Sequence, residues 1–473
     1  MRSGRVVRCA FVTLALAAPG TVQAARTKVA DDAGSVRFAG DQVVWSSLED
    51  GRWQLHAGRP GQKPRLLRSF SIPADADPED DFGYGMSLGF ATSASRLGTF
   101  TATYSSFHGQ GPNVTSSTFD VGPIDGPYAQ PEEYCGPTGD LDLGFDVDGD
   151  RLAFEECSRT FGDHRLIVRD LNSGERIAAI AVPGRLRGVR LAGDYVAYRY
   201  EPRADDAQIA VYDLARRQEA YRTPSTYWDF SGLGGQDFDV QADGKLARLT
   251  RVREPGAYEG FRACPQLEWF TRDDPTPHPV SGCPSGQVEM AGDRIAYSSI
   301  VSDRRGLVVA DVRDGSVKPI ITGAGFSVPA AGFDFDGSRL VYAQGGCSPS
   351  AAAIWIDDLR GGEEVVDPRC PVRIGRAALK LRKDGTTTVS LACERGCAGS
   401  VGIVRDLARE PVVGRHRFFT LRPGESRSIA IRIDSATRKL LRRRKSLRVR
   451  VAVSSETLAA ARAEFRRRVT LRR

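Results

Sequence analysis

Three aspartates stand at alternate positions in the stretch GFDVDGDRLAFEE, and such a pattern can bind calcium. Asp146, Asp148 and Asp150 offer hard oxygen ligands around a glycine. An EF-hand loop that starts at Asp146 needs glycine at position 6 and glutamate at position 12, where this sequence has Arg151 and Cys157. The alternative is a β-hairpin with an Asp-Gly turn, and the spacing favours that alternative.

A second acidic segment, PADADPEDDFGYG, offers a different set of ligands for calcium. Its carboxylates lie in a glycine-bounded loop, at Asp75, Asp77, Glu79, Asp80 and Asp81. The alternative is an acidic surface loop without a metal. The sequence therefore predicts no cofactor, with calcium in this loop as the one metal to test.

Motifs of known hydrolases are missing or incomplete. No Gly-x-Ser-x-Gly pentapeptide is present, and the five histidines are far apart, without metal-binding spacing. Asp163 and His164 could form half of a proton relay, or an exposed loop pair. SSLEDGRW (46–53) resembles one sialidase Asp box with shifted spacing, or a strand hairpin. We assign no catalytic residue from the sequence.

The Asp-Gly stretch has relatives along the chain, which makes it one copy of a repeat. VRFAGDQVVW, VRLAGDYVAY, VEMAGDRIAY and GFDFDGSRLVYA each contain an apolar strand, a Gly/Asp turn and a second apolar strand. FDVQADGKLARL is a further copy, and LGFATSASRLGTF is a degenerate one. Each unit continues with a third strand, such as AQIAVYDL, and a short fourth strand, such as RIAAIAV, KPIITG or EEVVD.

The units recur about every 47 residues. Four strands per unit at this period predict a β-propeller, in which each sheet buries its faces against its neighbours. We expect about seven units between residues 25 and 371, with six or eight left open. The hairpin pattern FD-x-DG-x-R and the later I-x-V-x-DL strand resemble the TolB-like, WD-repeat-like propellers. The resemblance covers about three-quarters of the chain and implies a fold rather than an activity.

The N-terminus predicts export. Arg2, Arg5 and Arg8 precede the apolar run CAFVTLALAAPG and the small-x-small sequence VQA, so we expect a signal peptide over 1–24; the alternative is a buried N-terminal segment. An exported chain is expected to form disulfides. Eight cysteines remain after cleavage, and neighbours in sequence suggest local pairs, with the connectivity left open: Cys135 with Cys157, Cys264 with Cys283, Cys347 with Cys370, and Cys393 with Cys397.

Residues 372–473 predict a separate β-sandwich. Seven short alternating strands surround one helical segment, SATRKLLRRR (435–444), and this number of strands suggests an immunoglobulin-like fold. The segment resembles C-terminal modules of exported actinobacterial proteins, which share an early cysteine pair and an arginine-rich LLRRR turn. Cys393 and Cys397 match that pair, and no catalytic residue is implied.

Charge separates the two predicted parts. Residues 372–473 contain 27 Lys and Arg against 8 Asp and Glu, a formal charge of +19, whereas residues 1–371 contain 39 against 51, a charge of −12. A basic module suggests contact with an anionic polymer or surface, here through Arg442, Arg443, Arg444 and Lys445. The alternative is a solvated basic face. Few aromatic residues accompany it, which argues against a nucleic acid partner.

The sequence thus predicts a secreted, non-enzymatic binding or scaffold protein of the cell envelope. The propeller would bind a protein or glycan, since the long segments around 104–135 and 253–268 carry aromatic residues. The alternative is an extracellular polysaccharide hydrolase or lyase. That enzyme would need two or more carboxylates that converge on a pocket with perturbed pKa values.

Overall fold

A computed structural model of the chain describes residues 26–472, with internal gaps. The segments outside the description are 1–25, 50–51, 72–82, 107–112, 132–143, 157–163, 204–205, 226–236, 251–264, 302–303, 323–331, 345–351, 360–362, 365–371, 376–377, 395–396, 406–411, 422–423, 457–461 and 473.

A series of mainly antiparallel sheets follows along the first three-quarters of the chain, and in all but the last of them the strands lie in chain order. The first sheet comprises β2 (Val36–Ala39), β3 (Gln42–Glu49), β4 (Arg52–Gly58) and β5 (Arg65–Ser71). The second comprises β6 (Gly83–Thr92), β7 (Arg96–Ser106) and β8 (Asn113–Pro123). The third comprises β9 (Phe145–Asp148), β10 (Arg151–Glu156), β11 (His164–Asp170) and β12 (Arg176–Val182). The fourth comprises β13 (Arg185–Ala192), β14 (Tyr195–Glu201), β15 (Ala207–Asp213) and β16 (Gln218–Ser225).

Three further sheets complete this series. The fifth comprises β17 (Phe238–Val240), β18 (Leu246–Thr250), β19 (Gln266–Phe270) and β20 (His278–Val280). The sixth comprises β21 (Pro284–Ala291), β22 (Arg294–Val301), β23 (Arg304–Asp311), β24 (Val317–Thr322) and the short β28 (Glu363–Glu364). The seventh comprises β25 (Phe333–Phe335), β26 (Leu340–Gln344), β27 (Ala352–Asp357) and, from the other end of the chain, β1 (Arg26–Ala33).

The seven sheets form a closed ring. The first strand of each sheet contacts the first strand of the next, from β2 through β6, β9, β13, β17 and β21 to β25, and β25 contacts β2. The chain closes the ring with its N-terminal strand, because β1 pairs antiparallel with β27, Arg26 opposite Asp357. These sheets, radially stacked, form a β-propeller, which confirms the prediction of an all-β propeller fold.

One strand of the last repeat was placed wrongly from the sequence. EEVVD was expected as the fourth strand of the seventh unit, but Glu363 and Glu364 lie parallel to β24 of the sixth sheet. The fourth position of the seventh sheet belongs to β1. The local pattern of a short strand cannot distinguish these two partners, because both offer a free sheet edge.

Apolar side chains fill the spaces between neighbouring sheets. Phe100 and Phe119 of the second sheet pack against Phe145 and Phe154 of the third, with the rings of Phe119 and Phe145 4.3 Å apart. Each such side chain contributes about 1.5–3 kcal/mol through burial. The sheets are therefore held by contacts that no single repeat could make alone.

The C-terminal segment forms two sheets around one core, referred to below as the C-terminal sandwich. One sheet comprises β29 (Val372–Ile374), β31 (Thr386–Cys393) and β34 (Ser426–Arg432). The other comprises β30 (Leu379–Lys380), β36 (Arg462–Arg472), β35 (Ser446–Glu456), β32 (Cys397–Arg405) and β33 (Val412–Leu421). Buried residues of both sheets, such as Leu391 and Val451, belong to a single cluster.

The one helix among the described residues is α1 (Ser435–Arg444), at the predicted position. Asp434 caps its N-terminus by accepting a hydrogen bond from the Thr437 backbone N–H at 2.7 Å. Leu441 anchors it in the core of the sandwich. In the part of the chain that the structure describes, no helix combines the length and the apolar character needed to cross a membrane.

Candidate functional site

The three aspartates of the opening motif point to three different partners and hold the ring together. Asp146 Oδ2 accepts a hydrogen bond from the Leu191 backbone N–H at 2.9 Å, and Asp148 Oδ2 accepts one from Gly193 N–H at 2.6 Å, both in the fourth sheet. Asp150 Oδ1 accepts one from Arg96 Nε of the second sheet at 2.7 Å. The carboxylates therefore do not share a cation, and the hairpin alternative is correct.

The first aspartate of the motif makes the same bond in alternate sheets. Asp239 Oδ2 accepts from Met290 N–H at 2.6 Å, and Asp334 Oδ2 accepts from Phe38 N–H at 2.7 Å. Each aspartate also accepts from the residue that follows it, as Asp239 does from Val240 N–H. These bonds join the third sheet to the fourth, the fifth to the sixth and the seventh to the first.

Ion pairs between neighbouring turns reinforce the same face of the ring. Arg151 pairs with Asp194 at 2.8 Å, and Lys245 pairs with Asp293 at 2.8 Å, each across two sheets. The basic residue that follows the Gly/Asp turn in the repeat thus meets the acidic turn residue of the next sheet. These ion pairs between neighbouring sheets explain why the motif has charged residues at its turn.

The register of the repeats defines one further set of equivalent residues. Each lies on the first strand of its sheet and is paired with the second or third residue of the second strand. The members are Arg37, Ala91, Asp146, Arg190, Asp239, Glu289 and Asp334. Arg37 of the first sheet interacts electrostatically with Asp146, Asp239, Glu289 and Asp334 of four other sheets. Side chains from sheets around the ring can all reach one another only near its axis, so we call this set the axial ring.

The axial ring is a dense charge cluster. Arg37 Nη1 contacts Glu289 Oε1 at 3.1 Å and donates to the Phe333 carbonyl at 2.6 Å. Gln287 donates to both of those oxygen atoms. Arg190 Nε lies 4.0 Å from Asp239 Oδ1 and has no hydrogen-bond partner, although its side chain is only 8% exposed. Charges of opposite sign therefore approach one another closely in this region.

Burial changes the protonation of the axial carboxyls. It raises the pKa of Asp239 to about 7, and the neighbouring Asp146 charge acts in the same direction. Burial together with the charges of Asp239 and Asp334 raises the pKa of Glu289 to about 8, against the opposing effect of Arg37. The pKa values of Asp146 and Asp334 are also raised, mainly by burial. Close-packed like charges in a site of low polarity favour the neutral acids.

The axial ring was missed at the level of sequence. Its members occupy the centre of V-R-F, F-D-V, V-R-L, V-E-M and F-D-F, so an alignment of the repeats could have identified one variable charged position. What no alignment could show is that Arg37 lies beside Glu289, which is 252 residues away.

The residues predicted to bind a metal lie outside the described residues, whereas His164 of the predicted relay lies within them. The acidic loop with Asp75, Asp77, Glu79, Asp80 and Asp81 lies outside the described residues. Within the described part of the chain, no three His, Cys, Asp or Glu side chains are grouped to hold a metal ion. His164 begins β11 and its Nδ1 lies 2.7 Å from Glu155 Oε1 on the neighbouring strand β10.

Some of the cysteines predicted to form disulfides lie within the described residues and others lie outside them. Cys393 and Cys397 form a disulfide with a Cα–Cα distance of 6.0 Å, and Cys283 is also disulfide-bonded. The other predicted disulfide residues lie outside the described residues, namely Cys135, Cys157, Cys264, Cys347 and Cys370.

Two aromatic residues in or beside the long segments contact other residues of the propeller: Tyr128, within 104–135, and Trp269, next to 253–268. The Tyr128 hydroxyl donates to the Ile124 carbonyl at 2.6 Å, and the Arg68 guanidinium lies 4.5 Å from the centre of the Tyr128 ring. Trp269 stacks on His278 with ring centres 4.4 Å apart. Both aromatic side chains are therefore engaged by other residues of the propeller.

The C-terminal sandwich presents its basic residues in two places. Arg442, Arg443, Arg444 and Lys445 are exposed at the C-terminal end of α1, where cations are favoured by the helix dipole. A second group projects from β35 and β36 beside a groove of about 910 Å³, which Arg373, Arg466, Arg467 and Arg468 line together with residues of β29 and β31.

Comparisons with known proteins find no relative in sequence and several similar structures. No protein-family model and no curated protein matches the sequence. Among solved structures, the chain is similar to the β-propeller domain of the Trilobed protease from Pyrococcus furiosus, with 12% identity, 72% of this chain and 97% of that chain covered, and a TM-score of 0.38. A prolyl endopeptidase is also similar, with 12% identity, 77% of this chain and 54% of that chain covered, and a TM-score of 0.44. The polysaccharide lyase Uly1 is similar with 10% identity, 69% of this chain and 90% of that chain covered, and a TM-score of 0.42.

Proposed function

We propose that this protein is a secreted binding or scaffold protein of the cell envelope. Its seven sheets are the blades of a seven-bladed propeller that binds a protein or glycan, and its C-terminal sandwich, an immunoglobulin-like module, associates with an anionic surface. The observation that carries this proposal is the engagement of the axial aspartates, each of which accepts two backbone N–H bonds that join or brace the sheets.

The engaged carboxylates argue for binding rather than catalysis. A general acid or a nucleophile must reach the reacting bond, whereas Asp146, Asp239 and Asp334 direct both oxygen atoms at the backbone. A carboxylate in this role stabilises the ring, since each of its two oxygen atoms accepts a backbone hydrogen bond. The propeller would then recognise its partner with loops around the channel, as propellers commonly do.

One observation favours the second candidate, a polysaccharide hydrolase or lyase. Asp239 and Glu289 converge on the axis, and both have raised pKa values, which is the property expected of a general acid. Limited access argues against an enzyme, because the side chains of Asp239 and Glu289 are only 13% and 10% exposed. A polymer chain needs more room than that exposure provides.

The test combines retention and turnover with the full mature chain. We expect the protein to be retained by envelope fractions and to release no sugar from a panel of acidic and neutral polysaccharides. Glu289→Gln should leave retention unchanged, with Asp41→Asn on an exposed turn as the matched control. Turnover that disappears in Glu289→Gln and persists in Asp41→Asn would support the enzyme and overturn the scaffold.

A further inference from the structure

Among the described residues, one edge of β36 in the C-terminal sandwich largely lacks a neighbouring strand. β36 pairs with β35 along its whole length, whereas on its other side the short strand β30 pairs with it only at Leu471 and Arg472. In the part of the chain that the structure describes, no third strand pairs with β36. An edge of this kind presents backbone donors and acceptors that an incoming strand can use.

The direction of these backbone groups follows from one hydrogen bond at the end of the edge. The Arg472 carbonyl accepts from the Leu381 N–H at 2.8 Å, so the backbone groups of Arg472 face β30. Successive residues of a strand face alternate edges, and the register between β35 and β36 runs without a bulge. The N–H and C=O groups of Arg466 and Arg468 therefore face the same edge as those of Arg472, away from β35.

A groove of about 910 Å³ lies beside this edge. Arg466, Arg467 and Arg468 all line it, and because consecutive side chains point to opposite faces, the groove follows the edge of β36 rather than one face. Residues 372–375, which form β29 and the glycine after it, line the groove as well, together with residues of β31 and β34. The groove thus adjoins two strands, β29 and β36, that belong to different sheets.

Arg467 connects the two strands across the groove. The Gly375 N–H donates to the Ser390 carbonyl of β31 at 2.8 Å, so the backbone groups of the preceding residue, Ile374, face away from β31. Arg467 Nη1 donates to that outward Ile374 carbonyl at 2.8 Å. A side chain here supplies a hydrogen bond that a neighbouring strand supplies within a sheet. The groove therefore offers strand-like hydrogen bonding along its walls.

Net charge restricts which strand could enter the groove. The charged residues among its described lining are Arg373 and the three arginines of β36, without an Asp or Glu. Some of this charge is paired, as Arg373 is with Glu394, but residues 372–473 together have a formal charge of +19. Charge on an edge strand opposes pairing with a second copy of the same edge. A basic module favours an acidic segment instead.

We propose that the groove beside β36 binds an extended acidic segment of a partner protein, which adds to the edge as a strand. Its backbone would exchange N–H···O=C hydrogen bonds with Arg466 and Arg468, and its carboxylates would meet the basic lining. This inference rests on the part of the proposed function that concerns the sandwich. It assigns the contact to the groove rather than to the basic run at the end of α1.

The first experiment varies the probe and uses the full mature chain. The probe is a short synthetic peptide that alternates Glu and Val, and two further forms carry N-methyl groups on all Glu or on all Val residues. Both methylated forms keep every carboxylate but lose the backbone donors of one edge. We expect at least one of them to bind at least about tenfold more weakly than the unmodified peptide, since strand addition needs those donors. Equal binding of all three forms would overturn the inference.

The second experiment varies the protein at one position. Arg468→Gln and Arg468→Pro both remove the side chain with its charge and contacts, but only the proline also removes the N–H that faces the groove. Proline is tolerated on an edge strand where the N–H points away from the neighbouring strand. We expect Arg468→Gln to weaken binding of the unmodified peptide no more than about fivefold and Arg468→Pro at least about tenfold. Equal losses would mean that charge alone makes the contact, against the inference.

Hydrogen exchange tests the same contact in the wild-type chain, without a variant that must fold. Backbone amides of β36 should exchange more slowly when the Glu-Val peptide is bound, because Arg466 and Arg468 gain acceptors. No binding of the peptide, or binding without added protection of β36, would contradict strand addition.

Two other occupants of the groove are distinguished by their own outcomes. Inorganic polyphosphate that binds as tightly as the peptide and displaces it would indicate a general polyanion site. Self-association of the mature chain that is lost in Arg468→Pro would indicate a second copy on the edge. Either result would overturn the inference. Retention by envelope fractions tests the proposed function separately, and retention without peptide binding would leave that function standing while the inference fails.

Discussion

Charged residues are used in opposite ways by the propeller and by the C-terminal sandwich. In the propeller, opposite charges meet across sheets, as in Arg151 with Asp194 and Lys245 with Asp293, and the axial aspartates are bonded to backbone. In the sandwich, register sets Arg450 against Arg468. The first arrangement joins neighbouring sheets through opposite charges, whereas the second places like charges opposite each other within one sheet.

The largest effect in this comparison should come from opening the ring at its closure. Asp334→Ala removes the acceptor of the Phe38 and Phe335 N–H groups and a neighbouring charge of the buried Arg37. We expect a loss of about 3–5 kcal/mol in the free energy of unfolding, measured with urea, because two backbone donors lose their acceptor and the buried Arg37 loses one of its neighbouring acidic groups.

The matched control for that variant lies on an exposed turn. Asp41 pairs with Arg59 while its side chain is 67% exposed, so Asp41→Ala should cost less than about 1 kcal/mol. Similar losses in the two variants would show that the axial aspartates are no more important to the ring than surface charges.

An intermediate effect concerns pH. The pKa of Asp239 is raised by burial from its ordinary 3.8 to about 7, so the folded protein keeps a proton that the unfolded chain releases above about pH 4. The resulting stabilisation is full below pH 4 and is lost as the pH rises to 7, at up to about 1.4 kcal/mol per pH unit. Asp239→Asn should remove this part of the slope.

Urea unfolding at pH 5, 6 and 7 measures that slope. Asp243→Asn is the control, since Asp243 lies on the adjoining turn with a side chain that is 53% exposed. A slope in Asp239→Asn equal to that of both the wild type and the control would mean that Asp239 is ionised in the fold.

The smallest effect should come from the pairs between turns. Arg151 and Asp194 are 34% and 54% exposed, so Arg151→Gln should lower the free energy of unfolding by about 0.5–1 kcal/mol at low salt. At 0.5 M salt the difference from the wild type should shrink, because screening weakens exposed pairs. A loss above about 2 kcal/mol would mean that this pair stabilises the fold to an extent comparable with the axial residues.

Much of the fold could be predicted from local sequence because each repeat carries its own strand and turn signals. The Gly/Asp turns, the alternation in SLRVRVAV and the helix over 435–444 depend on neighbours within a few residues. Pairing between strands that are distant in sequence was harder to predict. Glu363 and Glu364 joined the sixth sheet rather than the seventh, and β1 took the place that had been assigned to them.

The sequence by itself determined that strands recur with a period near 47 residues and that basic residues concentrate after residue 372. Tertiary structure alone decided which charges meet, because the ring brings Arg37 to Glu289 and the hairpin register brings Arg450 to Arg468. Spacing along the chain specifies which side of a strand a residue faces. The partner on the opposite strand or sheet is specified only by closure and register, which depend on the whole fold.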